Sequence, residues 1–257
     1  MGASAGCASS MYPRPADTTP AKRWAIEADL PLFAGSADQV RVHSPPGKTE
    51  TQRGLGGNID EVGGPMPIFV PEIIGRFGLS ERWEVAAIAG PLRLAGETRW
   101  GIWAERRRNP VSIALAFAAG IQPFYDRMGP WLRGGIDLSA RRGMLMVMTN
   151  LYVTYGREAH AFPLNLPSRP EDHLTTDGAA QHAQVTRREV RFLPSLALGT
   201  AIPSGYLMAG LVPWFVVHSE PADAMHCDGC LAGTTVSDFR ETFGIMLVVG
   251  GAFRRGF

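Results

Sequence analysis

The chain contains no run of about 20 consecutive apolar residues, which excludes a transmembrane helix. Charge is sparse: 19% of the 257 residues are Asp, Glu, Lys or Arg, and the formal net charge is +1. With no strong positive field, nucleic acid is not expected as a partner. Cysteine is scarce, with only Cys7, Cys227 and Cys230. No segment carries a convincing helical period, which argues against a helical bundle. Glycine and proline, by contrast, are plentiful at 30 and 20 residues, and they divide the chain with turns. What remains is an all-β fold. It is either a soluble globule or a barrel whose strands need only ~9–11 residues each to cross a membrane.

About ten segments alternate apolar with polar or small residues. They are 24–33, 65–77, 83–89, 97–105, 111–121, 131–139, 144–155, 189–200, 206–218 and 239–257. The clearest is 131–139, where Leu132, Gly134, Ile136 and Leu138 share one face and Arg133, Gly135, Asp137 and Ser139 the other. The connections alternate too. Those at 78–82, 106–110, 140–143 and 202–205 are tight, and those at 34–64, 90–96, 122–130, 156–184 and 219–238 are longer. This pattern predicts a meander with short turns at one end and long loops at the other, as in membrane barrels.

The stretch Phe77-Gly78-Leu79-Ser80-Glu81-Arg82-Trp83-Glu84-Val85 resembles the strand-turn-strand unit of bacterial outer-membrane barrels. The C-terminus is similar as well. Phe257 ends the chain, and Phe253, Val249, Leu247, Ile245 and Phe243 share its face, the pattern such barrels present to their assembly machinery. Arg255 departs from that pattern, where an apolar residue is usual. The resemblance covers roughly residues 23–257, is one of architecture, and carries over no catalytic residue. It implies an all-β, antiparallel up-and-down transmembrane β-barrel of about ten strands, with short periplasmic turns and long outer loops. It implies outer-membrane lipid and the assembly machinery as partners, and the bacterial outer membrane as location.

Hydrocarbon offers the backbone no hydrogen-bond partner, so the sheet must close and its outer face must be apolar. That register places Arg99, Arg133, Asp137, Asn150, Glu189, Arg191 and Arg254 inside. Their mixed signs predict internal ion pairs that plug a narrow lumen. Trp83, Trp100, Trp131, Tyr155, Trp214 and Phe257 are candidates for the interfacial aromatic girdles.

Ala5-Gly6-Cys7 resembles the end of a bacterial lipoprotein signal, although Ser4 stands where Leu is usual. Cys7 is therefore expected to carry lipid. Residues 1–22 read as a truncated lipoprotein-type leader and a Pro/Ala-rich extended tether outside the fold, and 23–257 as the barrel. His226-Cys227-Asp228-Gly229-Cys230 has too few nearby ligands for structural zinc. Haem attachment needs a His where Leu231 stands. In an outer loop of an oxidising compartment a Cys227–Cys230 disulfide is the expectation, with a metal site or redox pair as alternatives. Asp172 with His173 and Glu158 with His160 are the only loop pairs that suggest hydrolysis. Solvated loop residues describe them better. No catalytic residue, metal or cofactor is expected. The role expected is structural or that of a narrow pore for transport. An outer-membrane lipid or peptide hydrolase and a lipid-anchored periplasmic lipocalin-like barrel are the alternatives.

Overall fold

The computed structural model describes residues 13–44, 48–57, 59–60, 64–65, 72–90, 93–104, 110–124, 127–164, 181–202, 204–222, 224–228 and 235–254. Ten strands form its wall. They are β1 (Trp24–Ser44), β2 (Glu72–Gly78), β3 (Trp83–Gly90), β4 (Arg93–Trp103), β5 (Val111–Phe124), β6 (Arg127–Arg142), β7 (Leu145–Leu164), β8 (Gln181–Ile202), β9 (Gly205–Ser219) and β10 (Thr235–Arg254). Each pairs antiparallel with the next, and β10 pairs back onto β1 with Arg254 opposite Ala25. The barrel is closed, so its wall has no free edge at this seam. Among the described residues no helix is long and apolar enough to cross a membrane.

The strands run further than their alternation suggests. β1 has 21 residues and β8 has 22, whereas β2 has 7 and β3 has 8. At ~3.3 Å per residue, β8 is about 70 Å long and outreaches an apolar band of about 25 Å even when tilted. One side of the barrel therefore stands well above the other. Its upper part gains extra strands. Lys48–Gly57, expected to be loop, returns along Gly35–Ser44. Ala224–Asp228 lies against His182–Thr186 of β8, which places Cys227 in a short strand. Cys230 lies outside the described residues.

The expected strict alternation of loop lengths does not hold. Only two residues separate Gly90 from Arg93, and two separate Phe124 from Arg127. Gly96, Pro123 and Pro130 suggested turns there, yet all three sit in ladders, opposite Ala87, Met128 and Ile121. Cross-strand pairing outweighs local preference here.

Burial alternates with the pleat. On β2 and β3, Glu72, Arg76 and Glu84 are buried, while Ile73, Phe77, Trp83 and Val85 are exposed. The same inversion runs round the wall. Leu94, Leu132, Leu151, Leu198 and Leu211 face out, and Glu97, Arg133, Asn150, Ser195 and Val212 face in.

Candidate functional site

The lumen is where the chain concentrates its charge. Arg99, Arg133, Asp137, Asn150, Glu189 and Arg191, all expected inside, are buried there. The side chain of Arg254 and the whole of Phe257 and Cys7 lie outside the described residues. Arg99 is the hub. Its Nε and Nη2 donate to Asp137 Oδ2 at 2.9 and 2.7 Å, and its Nη1 donates to Glu84 Oε1 at 3.1 Å. Asp137 also accepts from Asn150 Nδ2 at 2.6 Å and from the Tyr152 hydroxyl. Arg76 pairs with Glu27 and lies 3.6 Å from Glu84, Arg93 pairs with Glu72, and Arg133 pairs with Glu97. The guanidinium of Arg93 sits 4.5 Å from the centre of the Trp131 ring, and that of Arg133 sits 4.7 Å from Tyr152. A second cluster lies along β7 and β8. There Arg191 reaches Glu189 at 2.8 Å and Glu158 at 3.5 Å, and Arg187 reaches Glu189 at 2.5 Å.

These pairs follow the wall. Each joins residues on one strand, on adjacent strands, or on strands one apart: Arg99 on β4 with Asp137 on β6, Arg93 on β4 with Glu72 on β2. The expectation that ion pairs plug the bore is therefore corrected, because they run around it. Across it lie apolar side chains of β7 to β10, including Met148, Met208, Val212 and Met246, and a segment of main chain.

That segment is the one expected to be a tether outside the fold. Pro13 to Ala16 and Thr19 are buried within the barrel. Arg14 Nη1 donates to both oxygens of Glu97 at 2.8 and 3.1 Å, and Arg14 Nε lies 3.5 Å from Glu27. The backbone of Arg14 exchanges hydrogen bonds with the Asn150 amide, at 3.0 Å as donor and 3.3 Å as acceptor. The Pro15 carbonyl accepts from Arg99 Nη2 at 2.6 Å, the Ala16 N–H donates to Ser139 Oγ at 3.0 Å, and the Thr19 N–H donates to Glu84 Oε2 at 2.5 Å. Buried main chain needs partners, and this irregular stretch finds them on lumen side chains instead of in a ladder. No hydrophobic period announces such a segment, so Arg14 had no signal in the sequence. Glu97, Glu84, Arg76 and Glu27 did, since each shares the inward parity of its strand.

The segment joins the wall by a turn at the rim. Arg23 N–H donates to Pro20 O at 3.1 Å and Lys22 N–H to Gly78 O at 2.8 Å. Lys22, at φ 60°, is the one described non-glycine residue with positive φ, a conformation that costs an L-residue about 1 kcal/mol or more. A Cβ on Gly78 would stand 2.2 Å from Pro20 O, so only glycine admits the segment there. Gly78→Ala should expel the segment from the rim while the barrel persists. Proteolysis at Lys22 and Arg23 should then accelerate several-fold. Unchanged cleavage would mean that this contact does not hold it.

The outer face completes the geometry. Trp83 and Trp100 stack across β3 and β4 with centroids 5.9 Å apart, beside exposed Trp24, Phe77 and Trp103. Phe215 stacks on Phe192 with centroids 6.5 Å apart and meets Phe243 at a tilt, 5.2 Å away. Phe243, near the middle of β10, and Phe253, near its end, both face out. Their separation is ~33 Å along the strand, or about 25 Å along the barrel axis at a tilt near 40°. That is the height of a lipid-facing belt, flanked by aromatics at both levels. An apolar belt outside and buried charge inside invert the polarity of a soluble protein. The chain is a transmembrane β-barrel. Single-chain antiparallel barrels with an even strand number belong to bacterial outer membranes, and this exterior fits the barrel to that setting. In such a barrel the turn-bearing end is periplasmic. Trp131 and Trp214, two of the candidates for the girdle, are instead buried in the lumen. They share the inward parity of Arg133 and Val212.

No protein-family model matches the sequence, and no curated protein does either. Among solved structures, the barrel is similar to the outer-membrane protease OmpT of Escherichia coli, with 8% identity, 96% of this chain and 99% of that one covered, and a TM-score of 0.42. It is also similar to Ail, the attachment invasion locus protein of Yersinia pestis, with 10% identity, 91% and 99% covered, and a TM-score of 0.27. A FadL homologue of Pseudomonas aeruginosa matches at 9% identity over 90% of both chains, with a TM-score of 0.30. Such a likeness extends to no residue's role.

Proposed function

We propose that the protein is a non-catalytic outer-membrane barrel with a transport-related role, sealed in its resting form. The observation that carries this reading is Arg99. Its donors reach Asp137, Glu84 and the Pro15 carbonyl together, so wall and inner segment hold one another at that level, which supports a sealed bore. A barrel built as a simple diffusion pore has no use for a chain segment in its bore. The hydrolase alternative leaned in part on Glu158, but that carboxylate is buried and 3.5 Å from Arg191. His160 has no described side chain, and Asp172 and His173 lie outside the described residues. The apolar exterior counts against the periplasmic lipocalin-like alternative, whose outer surface must meet water.

The test is the refolded full chain. It should shift in gel mobility between unboiled and boiled samples, as closed barrels do, and insert into planar bilayers with no steady conductance. A steady porin-sized current in the unmodified protein would overturn the sealed reading.

A further inference from the structure

We propose that residues 13–20 are a displaceable plug whose withdrawal through the periplasmic mouth opens a cation-selective path. The proposal rests on the sealed-barrel reading above.

Three observations carry it. First, the wall network does not depend on the plug. The carboxylates that Arg14 touches each keep a guanidinium of the wall, Glu97 with Arg133 and Glu27 with Arg76. Glu84, which accepts from the Thr19 N–H, keeps Arg99, and Asn150 keeps Asp137. Departure of the segment therefore strands none of those four buried groups, which is the usual reason a buried ion pair cannot open. Second, the wall pairs named above lie circumferentially, and the segment enters the axial space they leave. An extended chain is about 5 Å wide, the spacing of neighbouring strands. Third, the segment has no ladder pairing beyond the single bridge of Ala21 to Gly78 at the rim, and it turns there at Lys22, held in a disfavoured conformation.

The selectivity follows from charge. Among the described residues, the buried carboxyl groups of the wall at the plug level are Glu27, Asp29, Glu72, Glu84, Glu97 and Asp137. Four wall guanidiniums, Arg76, Arg93, Arg99 and Arg133, face them, and Arg14 of the plug is the fifth cation. Asp29 is the surplus acid, two residues from Glu27 on the same buried face of β1. Withdrawal of Arg14 removes one of five cations and leaves the carboxyl groups further in excess at this level. An acidic ring in a narrow low-dielectric bore favours cations over anions. The upper cluster holds, among the described buried residues, Arg157, Arg187 and Arg191 with Glu158 and Glu189, and lies further along the path.

The experiment uses the full chain, with Cys7, Cys227 and Cys230 replaced by Ser, in planar bilayers with a KCl gradient. A Cβ on Gly101 lies 3.4 Å from Thr18 Cγ2, so Thr18→Cys with Gly101→Cys can cross-link plug to wall within disulfide reach. Arg14→Ala should raise the frequency of openings at least tenfold over the parent. The oxidised cross-link should abolish these openings, reductant should restore them, and the reversal potential should report potassium over chloride. Openings that persist under the oxidised cross-link, an Arg14→Ala variant as silent as the parent, or chloride preference would each overturn the proposal. If Arg14→Ala does not fold, Ala16→Cys with the native Arg14 decides it. Ala16 is buried, so slow labelling by a membrane-impermeant thiol reagent reports excursions of the plug, and none over hours overturns the proposal. Failure of the sealed-barrel reading looks different: steady current in the unmodified protein, indifferent to the cross-link.

Discussion

Arg99→Ala is expected to destabilise the barrel by about 3–5 kcal/mol, the range for removing one partner of a buried charge pair. The side chains of Arg99, Glu84 and Asp137 are all 0% exposed, so the lost guanidinium leaves carboxylates that water cannot easily reach. The cost falls towards the lower end of that range because Asp137 keeps Asn150 and Tyr152, and Glu84 keeps the Thr19 N–H. The plug also loses the donor to Pro15 O. The measurement is the urea midpoint of the protein refolded into phosphatidylcholine vesicles, followed by heat-dependent gel mobility. A double variant with Asp137→Leu should cost less than the sum of the single changes, since groups in one network couple. A loss below ~0.5 kcal/mol, the scale of an ordinary surface substitution, would mean that the lumen is wet and its ion pairs screened.

Leu247→Arg is expected to cost about 2–4 kcal/mol, the penalty for a cation near the bilayer midplane on the lipid face of a barrel. Leu247 is exposed and stands between Phe243 and Phe253, which mark the two ends of the belt on β10. It pairs laterally with Leu211 and Phe33, so neither lateral neighbour offers a carboxylate to relieve the charge. The same substitution at Val217, exposed close to the outer end of β9, should cost ~0–1 kcal/mol because the penalty falls towards the interface. Equal costs at the two sites in vesicle-based unfolding would mean that the belt is misplaced.

Sequence alternation alone separated the two faces correctly over much of the wall. Leu132, Ile136, Arg133 and Asp137 were legible because a strand's side chains alternate strictly and a closed sheet in lipid has only an apolar outside and a sheltered inside. Strand ends were less legible. Pro123 and Pro130 carry turn chemistry locally, and the ladder between β5 and β6 holds both in strands. Trp131 and Trp214 were read by residue type as interfacial, when their parity already placed them inward.

The amino-acid sequence by itself determined the fold class and the face each wall residue takes, because both follow from a period of two and from what hydrocarbon permits. Only the tertiary structure decided what fills the barrel. The partners of Arg14 are distant in the chain, Glu97 and Asn150 among them, and the Pro-rich stretch around it has no period to read. Its place follows from closure of the wall around buried main chain and charge, which must find hydrogen bonds wherever the fold supplies them.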